Sequence, residues 1–305
     1  MAVDIEADLD ADGNIIDWRH AIWSNGHSSR PGRAAVPMLL AASHLAEPFP
    51  RMIAGNAPLA AGGGSERNAV PYYAFPNWEI TNHRVLAMPI RTSALRSLGG
   101  FANVFAIETL IDEIAAERSE DPIAFRLRHL SDPRAQAVIE AVARRSGWNE
   151  WQGGEGLGHG VGFARYKNAG AYCAVIAEIE AERVVRVRRL VIAVDVGEAI
   201  NPDGVVNQIE GGAVQATSWT LKEAVRFDRR RIISSTFETY PILSFSEAPR
   251  IDVELIQRSG ERALGAGEAA HGPVAAAIGN AVFDALGIWV RDLPITPERV
   301  IAAMA

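Results

Sequence analysis

The chain has 305 residues, 48% hydrophobic and 22% charged, which is globular material long enough for one large domain or two medium ones. Its net charge of −7 argues against a general nucleic-acid binder, because neutralising phosphates needs a basic excess. A single cysteine, Cys173, excludes an internal disulfide, a CxxC redox pair and a cysteine-held iron–sulfur cluster.

The first residues alternate as a strand (Val3, Ile5, Ala7, Leu9), turn at Asp10-Ala11-Asp12-Gly13-Asn14 and resume at Ile15, Ile16 and Trp18, the pattern of a hairpin. They lack the basic and apolar regions of a signal peptide, and no apolar run reaches the length of a membrane span, so a cytoplasmic location is expected, with export alongside a partner left open. Residues 24–70 read as loop, punctuated by Pro31, Pro37, Pro48, Pro50, Pro58 and the run Gly62-Gly63-Gly64-Ser65. A triple glycine can cradle phosphate, but no lysine or helix follows directly, which favours a plain loop. Extended chain is expected over 71–92.

An amphipathic helix follows, with Phe105, Ile107, Leu110, Ile111 and Ile114 on one face and Glu108, Asp112, Glu113 and Glu117 on the others. Two further helices are expected near 122–131 and 135–146, and the glycines from Gly147 to Gly156 mark a boundary. The second half opens with strands over 161–166, 171–180 and 184–196. A helix after Asn201-Pro202-Asp203-Gly204 carries two interior glycines, Gly211 and Gly212, each weakening it by about 1 kcal/mol relative to alanine. They make sense if something bulky presses on that face. The arginines 183, 186, 188 and 189, and the run Arg229-Arg230-Arg231, read as a solvated strand face and a hairpin turn. Extended segments fill 225–257, and a last helix begins near 297. Strands of antiparallel type and segregated helices indicate an α+β fold in two mixed sheet-and-helix halves, residues 1–148 and 149–305.

Near the end, Glu268 stands between Gly265, Gly267 and a small-residue helix in which Val274, Ile278, Val282, Ala285 and Trp289 recur at helical spacing, with Pro273 in its first turn. Two roles fit such a carboxylate: a helix-end charge, or a general base held rigidly beside a bound cofactor. The seven histidines show no metal-binding spacing, so a metal handled here would draw its ligands from elsewhere. A hydrolase fares poorly, since there is no Gly-x-Ser-x-Gly elbow and Ser218 and Lys222 are wrongly spaced for a Ser-x-x-Lys pair.

Three stretches in order, Ala94–Gly100, Asn201–Gly212 and Gly265–Glu268, resemble the C-terminal part of the molybdopterin-binding large subunit of the xanthine dehydrogenase/aldehyde oxidase family. Gly160–Asn168, ahead of Ala171-Tyr172, resembles the branch that includes isoquinoline 1-oxidoreductase and nicotinate dehydrogenase. The resemblance reaches from about residue 15 to the end. It implies a molybdenum hydroxylase oxidising an aldehyde or N-heteroaromatic carbon with water-derived oxygen, and Glu268 as its base. It implies a molybdenum–molybdopterin cofactor, with or without a dinucleotide tail, contacted by Arg96, Gln208, Gly211, Gly212, Gly265 and Gly267. Ser97 and Leu98 would border the substrate, Leu98 standing where many relatives place a stacking phenylalanine. Ala269 replaces a frequent proline.

No Gly-Gly-Gly-Phe-Gly or Gly-Gln-Gly stretch occurs, and the family supplies these from the first half of a chain roughly twice this length. A split large subunit or a truncated copy is therefore expected. It would need a partner that completes the cofactor site and an iron–sulfur electron-transfer subunit, residues 1–60 being the candidate contact surface. The alternative is a catalytically silent cofactor-binding or assembly subunit, or a truncated fragment with no independent function.

Overall fold

A computed structural model describes residues 1–29, 40–50, 53–182 and 184–305; Pro31, Pro37 and Arg183 lie outside the described residues. The expected hairpin forms from β1 (Ala2–Leu9) and β2 (Ile15–Ser24), paired antiparallel. Its turn is pinned by the Asp10 carboxylate, which accepts from the backbone N–H of Asp12 and Asn14 at 3.0 and 2.8 Å. β3 (Asn77–Arg84) joins the other side of β2 in parallel, completing a three-stranded sheet.

A second sheet has the order β4 (Leu157–Arg165), β5 (Tyr172–Ala181), β6 (Val185–Asp195), β7 (Arg250–Leu255), with only the β6–β7 pair parallel. Most of the 225–257 span is thus loop rather than strand. Side chains alternate across a strand, so β5 feeds two cores. Cys173, Val175, Ala177 and Ile179 face α4 (Pro202–Leu221) and α5 (His271–Leu286). Tyr172, Ala174 and Ile176 face α1 (Gly100–Glu117), α2 (Pro122–Arg128) and α3 (Pro133–Ser146). A short α6 (Pro297–Met304) closes the chain through Val300. The second sheet is built wholly from residues after 149, and the helices of residues 1–148 pack on one of its faces.

Two acidic residues depart from the expected outward face of α1. Glu108 and Asp112 are 1% and 8% exposed, because the fully buried Arg126 of α2 pairs with both. The outer arginines behave as expected: Arg186 and Arg188 are exposed on β6, and Asp228 accepts from the N–H groups of Arg230 and Arg231 in a tight turn. Large apolar side chains are exposed within the first sixty residues (Trp23, Leu45, Phe49, Ile53, Leu59), but Phe237 and Phe245 in the 225–247 segment are barer still. Among the described residues no helix is long and apolar enough to cross a membrane.

What positions α5 is a seam of glycines on β4. A Cβ on Gly162 would sit 2.3 Å from the Pro273 carbonyl oxygen, one on Gly160 2.2 Å from the Ala281 nitrogen, and one on Gly158 2.0 Å from the Ala281 carbonyl oxygen. β4 thus runs antiparallel to α5 with backbone against backbone. Gly160→Ala should lower stability by roughly 1–3 kcal/mol, because the atoms in the way are main chain and cannot rotate aside. Thermal unfolding checks this: a Tm lowered by about a few degrees is expected, and an unchanged Tm would show that α5 is not seated there.

Candidate active site

The antiparallel seam brings the end of β4 to the beginning of α5, and so Tyr166 to Glu268. α1 runs parallel to α5: an added Cβ on Gly272 would lie 2.9 Å from the Gly100 carbonyl oxygen, and further along the Asn280 amide donates to the Glu108 carbonyl. The N-terminal ends of two long helices therefore converge where Glu268 lies, a setting that favours negative charge.

Glu268 is half-buried and held at both oxygens. Oε1 accepts from the Ser97 backbone N–H at 2.7 Å, and Oε2 accepts from the Tyr166 hydroxyl at 2.6 Å. Burial works against ionisation, but the Tyr166 and Ser97 hydrogen bonds and the charges of Arg67 and Lys167 outweigh it and hold the carboxyl below the usual glutamate range. The same carboxylate, with burial leading, pushes the Tyr166 phenol well up, so tyrosine keeps its proton and donates.

Arg96 joins two of the other expected positions. Its Nε donates to the Gly267 carbonyl at 2.6 Å, and a terminal nitrogen donates to Gln208 Oε1 at 3.0 Å. Gln208 is exposed on α4, and with its oxygen turned to Arg96 its amide nitrogen is left as a donor. Gln215, one to two turns along α4, receives His271 Nε2 at 3.1 Å and Arg96 at 3.5 Å. Burial, then the Arg96 charge, pushes His271 down to about 4, so it is neutral at physiological pH and tethers α4 to α5 without adding a cation.

The glycines divide. Gly212 is closed by its own chain, since an added Cβ would lie 3.0 Å from His271 Cε1. Gly211, Gly265 and Gly267 would meet nothing within 4 Å. Gly265 has φ +82°, which explains it by conformation, but Gly211 and Gly267 have neither a left-handed backbone nor a close neighbour to require them. Bare backbone beside an arginine fork and an amide donor is a surface on which a flat, anionic, polar group can lie, so these residues fit a pterin. Ser97 is buried and reaches Glu268 through its N–H, whereas Leu98 is part-exposed. Among the described residues no group of three or more His, Cys, Asp or Glu stands together as a metal site.

Three residues join the site without a role that their sequence neighbourhood suggests: Tyr166, Arg67 and His271. For Tyr166 the available signal is its place inside the Gly160–Asn168 resemblance. Arg67 follows the triple glycine, whose carbonyls at Gly62 and Gly63 accept from its guanidinium at 3.0 and 2.7 Å. Carbonyls gathered on a cation are the reverse of a phosphate cradle.

Two family descriptions of a molybdopterin cofactor-binding domain match residues 63–130 and 108–249. A nicotinate dehydrogenase subunit from Pseudomonas putida is 35% identical over 99% of this chain, and the beta chain of isoquinoline 1-oxidoreductase from Brevundimonas diminuta is 34% identical over 72%. The chain belongs to the xanthine dehydrogenase/aldehyde oxidase family, within its molybdopterin-binding large subunit. It spans only 26% and 29% of the length of those two relatives. Crystal structures of quinoline 2-oxidoreductase from Pseudomonas putida 86 and aldehyde oxidoreductase from Desulfovibrio gigas share the fold over 99% of this chain, with TM-scores of 0.72 and 0.75 at 16% and 14% identity. This chain covers 62% and 49% of those chains.

Proposed function

We propose that this chain forms the base-bearing wall of a molybdenum hydroxylase that oxidises an aldehyde or an N-heteroaromatic carbon with oxygen taken from water. The observation that carries the reading is Glu268, an ionised carboxylate anchored at both oxygens where the segments bearing Arg96 and Gln208 meet. When bound, a molybdenum–pterin group supplies the two-electron acceptor and the site at which water is activated. Arg96 holds the pterin's anionic oxygens, Gln208 donates its amide N–H, and Gly211, Gly265 and Gly267 let the group lie against main chain. Glu268 receives the proton on a carboxylate oxygen, while Ser97 and Tyr166 keep that oxygen aimed. Leu98 borders the substrate with an aliphatic rather than an aromatic wall.

The nicotinate dehydrogenase and isoquinoline 1-oxidoreductase relatives are each named as one subunit of their enzyme. That supports partner subunits; in this reading one completes the cofactor site and another, with iron–sulfur clusters, carries electrons away from it. The test is the molybdenum content of the chain co-expressed with the partner. Metal at about one per complex is expected, and absence of metal would overturn the reading. Arg96→Met should lower molybdenum occupancy roughly tenfold or more, since charge-assisted hydrogen bonds are each worth about 1.5–3 kcal/mol. Full occupancy in that variant would remove Arg96 from the cofactor site.

A further inference from the structure

Arg67 is 5% exposed, and among the described residues no carboxylate lies within ion-pair reach of it. A buried guanidinium without an anion is costly, so its charge has to be answered somewhere. Three of its hydrogen bonds go to the carbonyls of Ala61, Gly62 and Gly63, and the fourth, at 2.6 Å, goes to the Tyr166 hydroxyl. That hydroxyl donates in turn to Glu268 at 2.6 Å. We propose that Arg67 and Tyr166 are positioning residues, a relay in which a buried cation, acting through the tyrosine hydroxyl, keeps Glu268 ionised and fixed in one orientation. The relay deepens the reading of Glu268 as the base and rests on it for its bearing on turnover.

Among the described residues, positive φ at non-glycine positions gathers around the relay. Six described non-glycine residues have positive φ, and five of them, Asn68, Ser97, Leu98, Lys167 and Asn168, lie in the segments that carry Arg67, the Ser97 N–H and Tyr166. Such backbone is costly for a residue with a side chain, and strain gathers where geometry is over-determined. Asn68 supplies part of that determination: its amide donates to the Arg165 carbonyl and to Asn168 Oδ1, and its oxygen accepts from the Lys167 N–H. The loop bearing Arg67 and the turn bearing Tyr166 are thereby locked together. The charged and titratable groups around Glu268 are Arg67, Arg96, Tyr166, Lys167 and His271, from separate segments of the chain.

The experiment is a carbon-13 NMR titration of the Glu268 carboxyl in the full chain, in wild type, Tyr166→Phe, Arg67→Met and the double variant. Tyr166→Phe deletes one hydroxyl and keeps the ring, so folding is preserved; Arg67→Met also frees three carbonyls, which makes the tyrosine variant the primary one. The Glu268 midpoint should rise by roughly one pH unit in Tyr166→Phe. In the double variant it should rise by less than the sum of the single shifts, because the two residues act as one chain. In the holoenzyme the acid limb of kcat/KM should rise with it. An unmoved midpoint in Tyr166→Phe, or shifts that simply add, would overturn the relay. Failure of the base assignment is separate: it would show as unchanged turnover in Glu268→Gln, whatever the titration gives.

Discussion

In the assembled enzyme, Glu268→Gln is expected to lower kcat by roughly 10²–10⁴-fold while molybdenum content stays at the wild-type level, since a positioned base contributes on that scale. Glutamine keeps the shape, and its one amide oxygen can still accept from the Ser97 N–H, while its NH2 group must donate to the Tyr166 oxygen in place of the hydrogen bond the hydroxyl gave; what is lost besides that hydrogen bond is the ability to take a proton. Metal content by mass spectrometry and turnover on a heteroaromatic or aldehyde substrate, measured on one sample, decide the matter. Metal present with activity unchanged would remove Glu268 from the chemistry, and metal lost would make it a cofactor contact instead. The pH dependence has a definite sign. The working form is the carboxylate, and its folded pKa is lowered chiefly by the Tyr166 and Ser97 hydrogen bonds acting against burial. Activity limited by this group is therefore retained down through the ordinary glutamate range and lost only below it.

The second large effect concerns stability. Arg126 is fully buried, donates to Glu108 Oε2 at 2.9 Å and pairs with Asp112. Glu108 also accepts from the Tyr73 hydroxyl at 2.7 Å and the Phe163 N–H at 2.9 Å, so α1, α2, β4 and the aromatic segment before β3 meet at one carboxylate. Arg126→Met removes the cation and leaves two buried carboxylates unanswered, which costs about 3–5 kcal/mol. Set against a typical total of about 5–15 kcal/mol, that is a Tm lower by roughly ten degrees, or no folded protein at all. Burial raises the Asp112 carboxyl to about 6 even beside Arg126, so without the arginine the folded state binds that proton more tightly still and the deficit should shrink as pH falls from about 8 to about 5.5. A deficit independent of pH would show that lost packing, rather than stranded charge, is responsible.

Much of the molecule is legible in local pattern. The β1–β2 turn follows from Asp10 to Asn14, α5 from the spacing of Val274, Ile278 and Val282, and Glu268 stands out by its flanking glycines. Arg96 and Gln208 come only with the family resemblance, and the structure brings them together. Elsewhere no local signal exists. Arg67 and Tyr166 are 99 residues apart, and nothing in either neighbourhood announces the other. Glu108 and Asp112 look like a solvated helix face because acidic residues usually are, and only a buried arginine on the next helix reverses that. The parallel pairing of β2 with β3 crosses a long loop and is decided by the assembled core.

The glycine seam of β4 has a practical meaning for anyone redesigning this site. No rotatable group lies between the strand and α5 where the three glycines meet it, so the distance between the elements that lead to Tyr166 and follow Glu268 is set by main-chain thickness. Diversity introduced at Leu98 or Lys167 should reshape the entrance while the proton acceptor stays in register. Libraries that touch Gly158, Gly160 or Gly162 would scramble that register first, and would be read mistakenly as changes in substrate preference.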